Sequence, residues 1–231
     1  MVVRRRANTR VQRVVDCGGS LLHEAHMDVQ IGQVPRREIG RASEVLTRAF
    51  AADGILSHYL SGPWQQFAIR AFFSAVIHEH LPTTYAATVG STLVGVAAWS
   101  APSEPPAPLG RRIRARGRLM QVRVLFPRSS RPLWNGLQQM AQLRPAEPHW
   151  YLAFTGVEPA WQGHRIGETL LRPVLSQADA DGIPCYLETP FPETHQFYRR
   201  LGFEITSELH PFPDAPPLWA LIRMPQRARG R

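Results

Sequence analysis

Apolar residues recur along this chain with two different periods, and the changes from one to the other mark its elements. Asp28-Val29-Gln30-Ile31-Gly32-Gln33 alternates polar with apolar, as a half-buried strand does. Arg41 to Ala51 then places Ala42, Val45, Leu46, Ala49 and Phe50 on one helical face. A second helix is predicted from Trp64 to Glu79, after Pro63 and before Leu81-Pro82. Thr84–Val89 and Thr92–Trp99 read as two strands joined by a tight Gly90-Ser91 turn. A proline cluster (Pro102, Pro105, Pro106, Pro108) breaks the pattern. The stretch from Leu109 to Arg144 is helical but split by Pro127 and Pro132, an insert of two or three helices. His149–Val157 is a long apolar strand of the buried type. A helix from Arg165 to Asp181 stops at Gly182, Cys185–Thr189 is a strand, and Glu193–Leu201 is a short helix stopped by Gly202. Strands Phe203–Leu209 and Leu218–Met224 close the chain. The order predicts an α/β (α+β) domain: a central mixed twisted sheet of six or seven strands, flanking helices, and a helical insert before the central strand.

Composition agrees. The chain has 231 residues, 44% hydrophobic and 19% charged, enough apolar material for one sizeable core and too much for disorder throughout. The formal net charge is +9, from 27 basic and 18 acidic side chains, and every basic one is arginine. Residues 1–26 carry five arginines against two acids, residues 109–131 carry eight and no acid, and Arg223 to Arg231 adds four. Those segments hold +15, so the remaining body is −6. A nucleic-acid groove needs a basic body with interleaved aromatics, so no nucleic-acid partner is expected. We expect a disordered basic extension at 1–26, a folded domain at 27–225 with the helical insert at 109–145, and a basic tail at 226–231. The insert's arginines read as a solvated face, with a lip beside an anionic ligand as the alternative. Cys17 and Cys185 make neither a disulfide framework nor a metal cluster, so a cytoplasmic location is expected. No run of 18 apolar residues predicts a membrane span, and no metal signature occurs.

The chemistry concentrates where the buried strand gives way to the next helix. Val157 ends the strand, and the helix begins within Gln162-Gly163-His164-Arg165-Ile166-Gly167. Free backbone N–H groups at a helix N-terminus, with small residues admitting a ligand, form an anion site. An ordinary strand–helix turn with two glycines is the bland alternative.

The surroundings favour the anion site. Val-x-Pro followed by Gln-Gly-x-x-Ile-Gly-x-x-Leu-Leu resembles the acetyl-CoA-binding signature of the GNAT N-acetyltransferases. Phe197-Tyr198-Arg199-Arg200-Leu201-Gly202-Phe203 is similar to that family's second signature. The likeness covers Met27 to about Pro225, and within the family it is greatest to the puromycin N-acetyltransferases. It implies the GNAT fold and an acetyl-CoA co-substrate. The amides of Gln162, Gly163, His164, Arg165, Ile166 and Gly167 would wrap the pyrophosphate, and the strand backbone at Phe154, Thr155 and Val157 would pair with the pantetheine arm. Thr194 stands where that subgroup often has Asn, and Arg165 where the family usually has Gly. Arg165 thus loses backbone freedom while its guanidinium gains reach towards a phosphate.

By the same resemblance Tyr198 is the acid that protonates the departing thiolate, because a phenol and a thiol are closely matched. Glu188, at a strand end beside the central strand, is the candidate base, with His149 and His195 secondary. Glu158 is expected to face solvent after a bulge. His58, Tyr59 and Trp64 fall in the region that forms the acceptor pocket in relatives. The expected activity is direct transfer of acetyl to a primary amine of a small molecule, an antibiotic or metabolite, by a monomer or homodimer. Rival readings are acetylation of protein N-termini or lysines, and a non-catalytic acyl-CoA-binding module.

Overall fold

The computed structural model describes residues 28–51, 54–102, 117, 119–120, 122–124, 130–212 and 215–226. Strands are β1 Val29–Gln33, β2 Thr84–Val89, β3 Thr92–Ser100, β4 Trp150–Val157, β5 Cys185–Thr189, β6 Glu204–Leu209 and β7 Leu218–Arg223. Helices are α1 Ile39–Ala49, α2 Gly54–Tyr59, α3 Gln65–Glu79, α4 Ser130–Leu143, α5 Ile166–Asp181 and α6 His195–Arg200. The seven strands form one sheet in the order β1-β2-β3-β4-β5-β7-β6, antiparallel except for β4 beside β5. This is the mixed sheet the sequence predicts. The basic extension (1–26), most of the insert's arginines and residues 227–231 lie outside the described residues. Of the insert's arginines, Arg123, Arg131 and Arg144 are described; Arg123 and Arg131 are exposed, whereas the Arg144 side chain is half-buried.

Helices cover both faces of the sheet. On one, Ala42, Val45 and Leu46 of α1 and Phe72, Phe73 and Ile77 of α3 are buried in one cluster, joined by Ile55 and Leu56 of α2 and Leu133 of α4. On the other, Leu170, Leu171, Val174 and Ala178 of α5 pack on Trp99, Leu152 and Leu187. α1 and α5 present the apolar stripe their spacing requires, whereas α3 is buried on nearly every side from Ala71 to Ile77. Gly182, with φ 68°, ends α5 in the left-handed conformation, as the sequence predicts. The sequence missed α2, which has only six residues.

Two irregularities open the sheet. The register between β3 and β4 passes from Ala98↔Phe154 to Trp99↔Leu152, leaving Ala153 as an extra residue, a bulge. The parallel pairing of β4 with β5 covers only Trp150↔Cys185 and Tyr151↔Tyr186. Beyond Tyr151 the two strands diverge, so one edge of β4 has no strand partner as far as Val157. At Gly156 the absence of a side chain admits α1: a Cβ there would lie 2.7 Å from Ala49 Cβ.

Candidate active site

The divergence of β4 and β5 opens a cavity of about 1360 Å³. It reaches from the Gln162–Glu168 turn, between the strand ends, to a wall formed by α2, α3 and α4. Pockets for one drug-sized ligand occupy roughly 300–1,000 Å³, so this one has room for a thioester arm and an acceptor together.

At the first end, Gly163 (φ 83°) and Arg165 (φ 56°, ψ 14°) both take left-handed backbone, and α5 begins directly after them. Nothing caps that helix through a side chain, and no hydrogen bond to the amides of Gly163, His164, Arg165, Ile166 or Gly167 forms among the described residues. The Gln162 side chain donates to the Val157 carbonyl at 3.1 Å, and His164 Nδ1 lies 2.9 Å from the Gln162 carbonyl, so the turn is stapled from within. A ring of unpaired N–H groups at the N-terminus of a sixteen-residue helix suits a phosphate. Gly167 allows Phe197 to close over the turn; a Cβ there would lie 3.3 Å from the ring.

A bidentate ion pair anchors the corner before this turn. Arg48, near the end of α1, donates through Nε to both Glu158 oxygens at 3.1 and 3.0 Å, and through Nη2 at 2.5 Å. The Glu158 side chain is only 14% exposed. This corrects the expectation that Glu158 faces solvent, and the bulge lies five residues earlier, at Ala153. Arg48 is 110 residues away in sequence, which hid the pair.

Phe154, Thr155 and Val157 line the middle of the cavity. The Phe154 ring turns into an aromatic cluster, edge-on to Phe50, Phe72 and Phe73 at 5.2–5.6 Å, which fixes the strand it belongs to. Thr194 lines the cavity too, but its hydroxyl donates to the Phe191 carbonyl at 2.7 Å and contacts the Thr189 hydroxyl at 3.1 Å. It is occupied in holding the β5–α6 turn together.

Tyr198 and Glu188 meet at this cavity. Tyr198 is 7% exposed, packed between Phe197 and Phe203, and burial raises its pKa well above the usual phenol range. It therefore stays protonated at neutral pH. That supplies a proton but makes it a weaker acid than the close match to a thiol expected from sequence. The Glu188 side chain is 1% exposed. Burial raises its pKa, opposed by Arg144 and by the Tyr151 and Tyr186 hydroxyls. These neighbours favour the carboxylate, yet among the described residues neither of its oxygens has a hydrogen-bond partner within normal distance.

The other candidates separate. His195 stacks edge-on against Trp219 at 4.9 Å, and His149 sits over Tyr186 at 5.6 Å; neither lines the cavity. His58, Tyr59 and Trp64 do not line it either. Trp64 is 61% exposed, and α2 contributes Ile55 and Leu56 instead. Sequence reasoning missed Arg144 and Tyr151, which line the cavity beside Glu188, and His80 and Ser100, which line it too. His80 Nδ1 lies 3.1 Å from the Ser100 hydroxyl. Among the described residues no group of three His, Cys, Asp or Glu side chains is placed to hold a metal ion, and no helix is long and apolar enough to cross a membrane.

A helix start with free amides therefore stands beside a splayed parallel pair, and both open on one continuous cavity. Residues 50–203 match the model of the acetyltransferase (GNAT) family, and the chain belongs to that family. It is 30% identical over 87 residues to an uncharacterised N-acetyltransferase of Schizosaccharomyces pombe, a match that covers 36% of this chain and 35% of the relative. The matched region thus spans about a third of the curated relative's length. The fold is similar to that of a Corynebacterium glutamicum protein described as histone acetyltransferase HPA2 and related acetyltransferase (TM-score 0.66, 22% identity, 87% of this chain and 99% of that one). It is also similar to Ard1 from Thermoplasma volcanium (TM-score 0.51, 14% identity, 86% and 99%). Members of the family use acetyl-CoA as co-substrate.

Proposed function

We propose that the protein moves the acetyl group of acetyl-CoA directly to the primary amine of a small molecule, with a puromycin-like acceptor as the first to test. The observation that carries this reading is the continuity of the cavity from the amide-rich turn to the α4 wall. The amides of Gly163 to Gly167 and the Arg165 guanidinium suit the pyrophosphate, and the free edge of β4 at Phe154, Thr155 and Val157 suits the amide-bearing pantetheine arm. Acetyl-CoA supplies the activated acetyl thioester; the chain supplies position and protons. Tyr198 donates its proton to the sulfur as the carbon–sulfur bond breaks, and its oxygen recovers the proton that the acceptor's nitrogen sheds on becoming an amide. The acceptor's ammonium gives up a proton before its nitrogen bonds to the acetyl carbon. The Tyr151 hydroxyl takes that proton and passes its own to Glu188, whose sealed oxygens favour relay over direct contact.

Helices α2, α3 and α4 wall the acceptor end with apolar side chains, which supports a compact acceptor over an extended peptide. The test is a mass-spectrometric screen of an amine library, puromycin included, with purified protein and acetyl-CoA. A gain of one acetyl group on a small amine is expected. Acetylation confined to peptide N-termini or lysines would overturn the small-molecule reading.

A further inference from the structure

The α4 wall is not uniformly apolar. Leu133, Trp134, Leu137 and Met140 line the cavity from one face of that helix, and Arg144 continues the stripe one residue beyond its end. The Arg144 guanidinium carbon lies 3.5 Å from the centre of the Tyr151 ring, a cation–π contact that holds it in place. Its Nε is 3.8 Å from Glu188 Oε1, too far for a hydrogen bond. Among the described residues neither that Nε nor either Glu188 oxygen has a hydrogen-bond partner. The two side chains differ in access: Glu188 is 1% exposed and Arg144 29%. A cation thus stands at the cavity surface with its carboxylate sealed behind it.

This order of charges constrains the acceptor. A bare ammonium would meet Arg144 first and be repelled. An acceptor with an oxygen beside its amine answers the guanidinium and brings the amine to the carboxylate cluster at the same time. A guanidinium desolvated by a ligand with no oxygen to offer it would be left unpaired, which is costly. Deeper in, Trp134 and Phe72 stand 6.3 Å apart, centre to centre, and Phe154 closes the wall. A large apolar group fits against them.

We propose that Arg144 is a specificity-determining residue that binds the carbonyl or carboxylate oxygen next to the acceptor's amine, so that the acceptors are α-amino acids or α-aminoacyl compounds with a large apolar side chain. The inference rests on the acetyl-transfer reading above and deepens it.

The test uses the full chain, acetyl-CoA and three amines that share one ring: L-phenylalanine amide, L-phenylalanine and 2-phenylethylamine. Thiol release gives kcat/KM for each. The amide or the free acid should exceed phenylethylamine by about tenfold or more, because only the last lacks the oxygen. Which of the two leads distinguishes a carbonyl from a carboxylate ligand. In Arg144→Met the preference should collapse to about twofold or less. Arg144→Lys, which keeps the charge without the planar fork, should restore part of it. Melting curves with acetyl-CoA establish that each variant is folded, and if Arg144→Met is not, a reduced preference in Arg144→Lys carries the result. Equal use of the three amines overturns the proposal, as does a preference that survives in the folded variants. Transfer to none of the three overturns it as well, provided acetyl-CoA still raises the melting temperature. Should acetyl-CoA neither stabilise the protein nor lose its acetyl group to any amine of the library, the underlying acetyl-transfer reading fails instead.

Discussion

Arg165 carries two opposed effects that substitution can separate. It is the one residue other than glycine with positive φ among the described residues, at φ 56°, ψ 14°, directly before α5. An L-residue there costs about 1–2 kcal/mol relative to right-handed backbone. Glycine removes that strain but adds about 0.5–1 kcal/mol of unfolded-state entropy. The balance leaves Arg165→Gly about 1 kcal/mol more stable than Arg165→Ala, or about 2–4 °C in melting temperature for a chain of this size. Arg165→Ala keeps the strain and, since the side chain is exposed, should melt close to the parent protein.

The guanidinium is read out separately. A charge-assisted hydrogen bond to phosphate contributes about 1.5–3 kcal/mol, so both variants should raise the KM for acetyl-CoA by about tenfold to a hundredfold. S-acetylpantetheine has the thioester but no pyrophosphate, and all three proteins should use it equally. The assays are thermal melts without ligand and steady-state kinetics with the two thioesters. If Arg165→Gly melts at or below Arg165→Ala, the strain argument is wrong. If neither variant changes the KM for acetyl-CoA, the guanidinium does not touch the phosphate and the backbone amides act alone.

Tyr198→Phe should lower turnover by about a hundredfold or more while changing the KM for acetyl-CoA less than about threefold, and unimpaired turnover refutes its role as proton donor. Glu188→Gln should lower kcat and stabilise the fold at once. Burial raises the Glu188 pKa, so the folded state holds its proton more tightly than the unfolded one, and stability falls as pH rises from the ordinary carboxylate value of 4.5 through the raised one. The Gln variant escapes that loss, gaining about 1.4 kcal/mol per pH unit across the window and nothing below it; equal melting temperatures at pH 8 would show that the carboxylate is not strained. Glu158→Gln removes the charge that Arg48 grips, and should raise the KM for acetyl-CoA severalfold and lower the melting temperature by a few degrees, without altering the preference among acceptors. A loss confined to kcat would remove Glu158 from the turn's support.

What the sequence disclosed and what it concealed divide along chain separation. The β2–β3 hairpin, the α5 stop at Gly182 and the Gln162–Gly167 turn are local: periodicity, a turn glycine and a helix start each show within about ten residues. Even Arg165 was legible as a departure, since the backbone it must adopt depends on its immediate neighbours. The Arg48–Glu158 pair has no such signal, because α1 reaches β4 only where Gly156 lets it approach. Glu188 stands between the two cases. Its place at a strand end followed from the apolar run Cys185–Leu187, but its chemistry depends on three groups from elsewhere. Tyr186 shares its strand, Tyr151 arrives through the parallel pairing with β4, and Arg144 comes from the far end of the insert's last helix. A carboxylate alone at that strand end would be solvated and act as an ordinary base. Sealed behind an arginine and flanked by two phenols, it sets the charge pattern an acceptor must match, so the proposed recognition of an acceptor would draw on Arg144, which lies beyond the exposed Arg123 and Arg131.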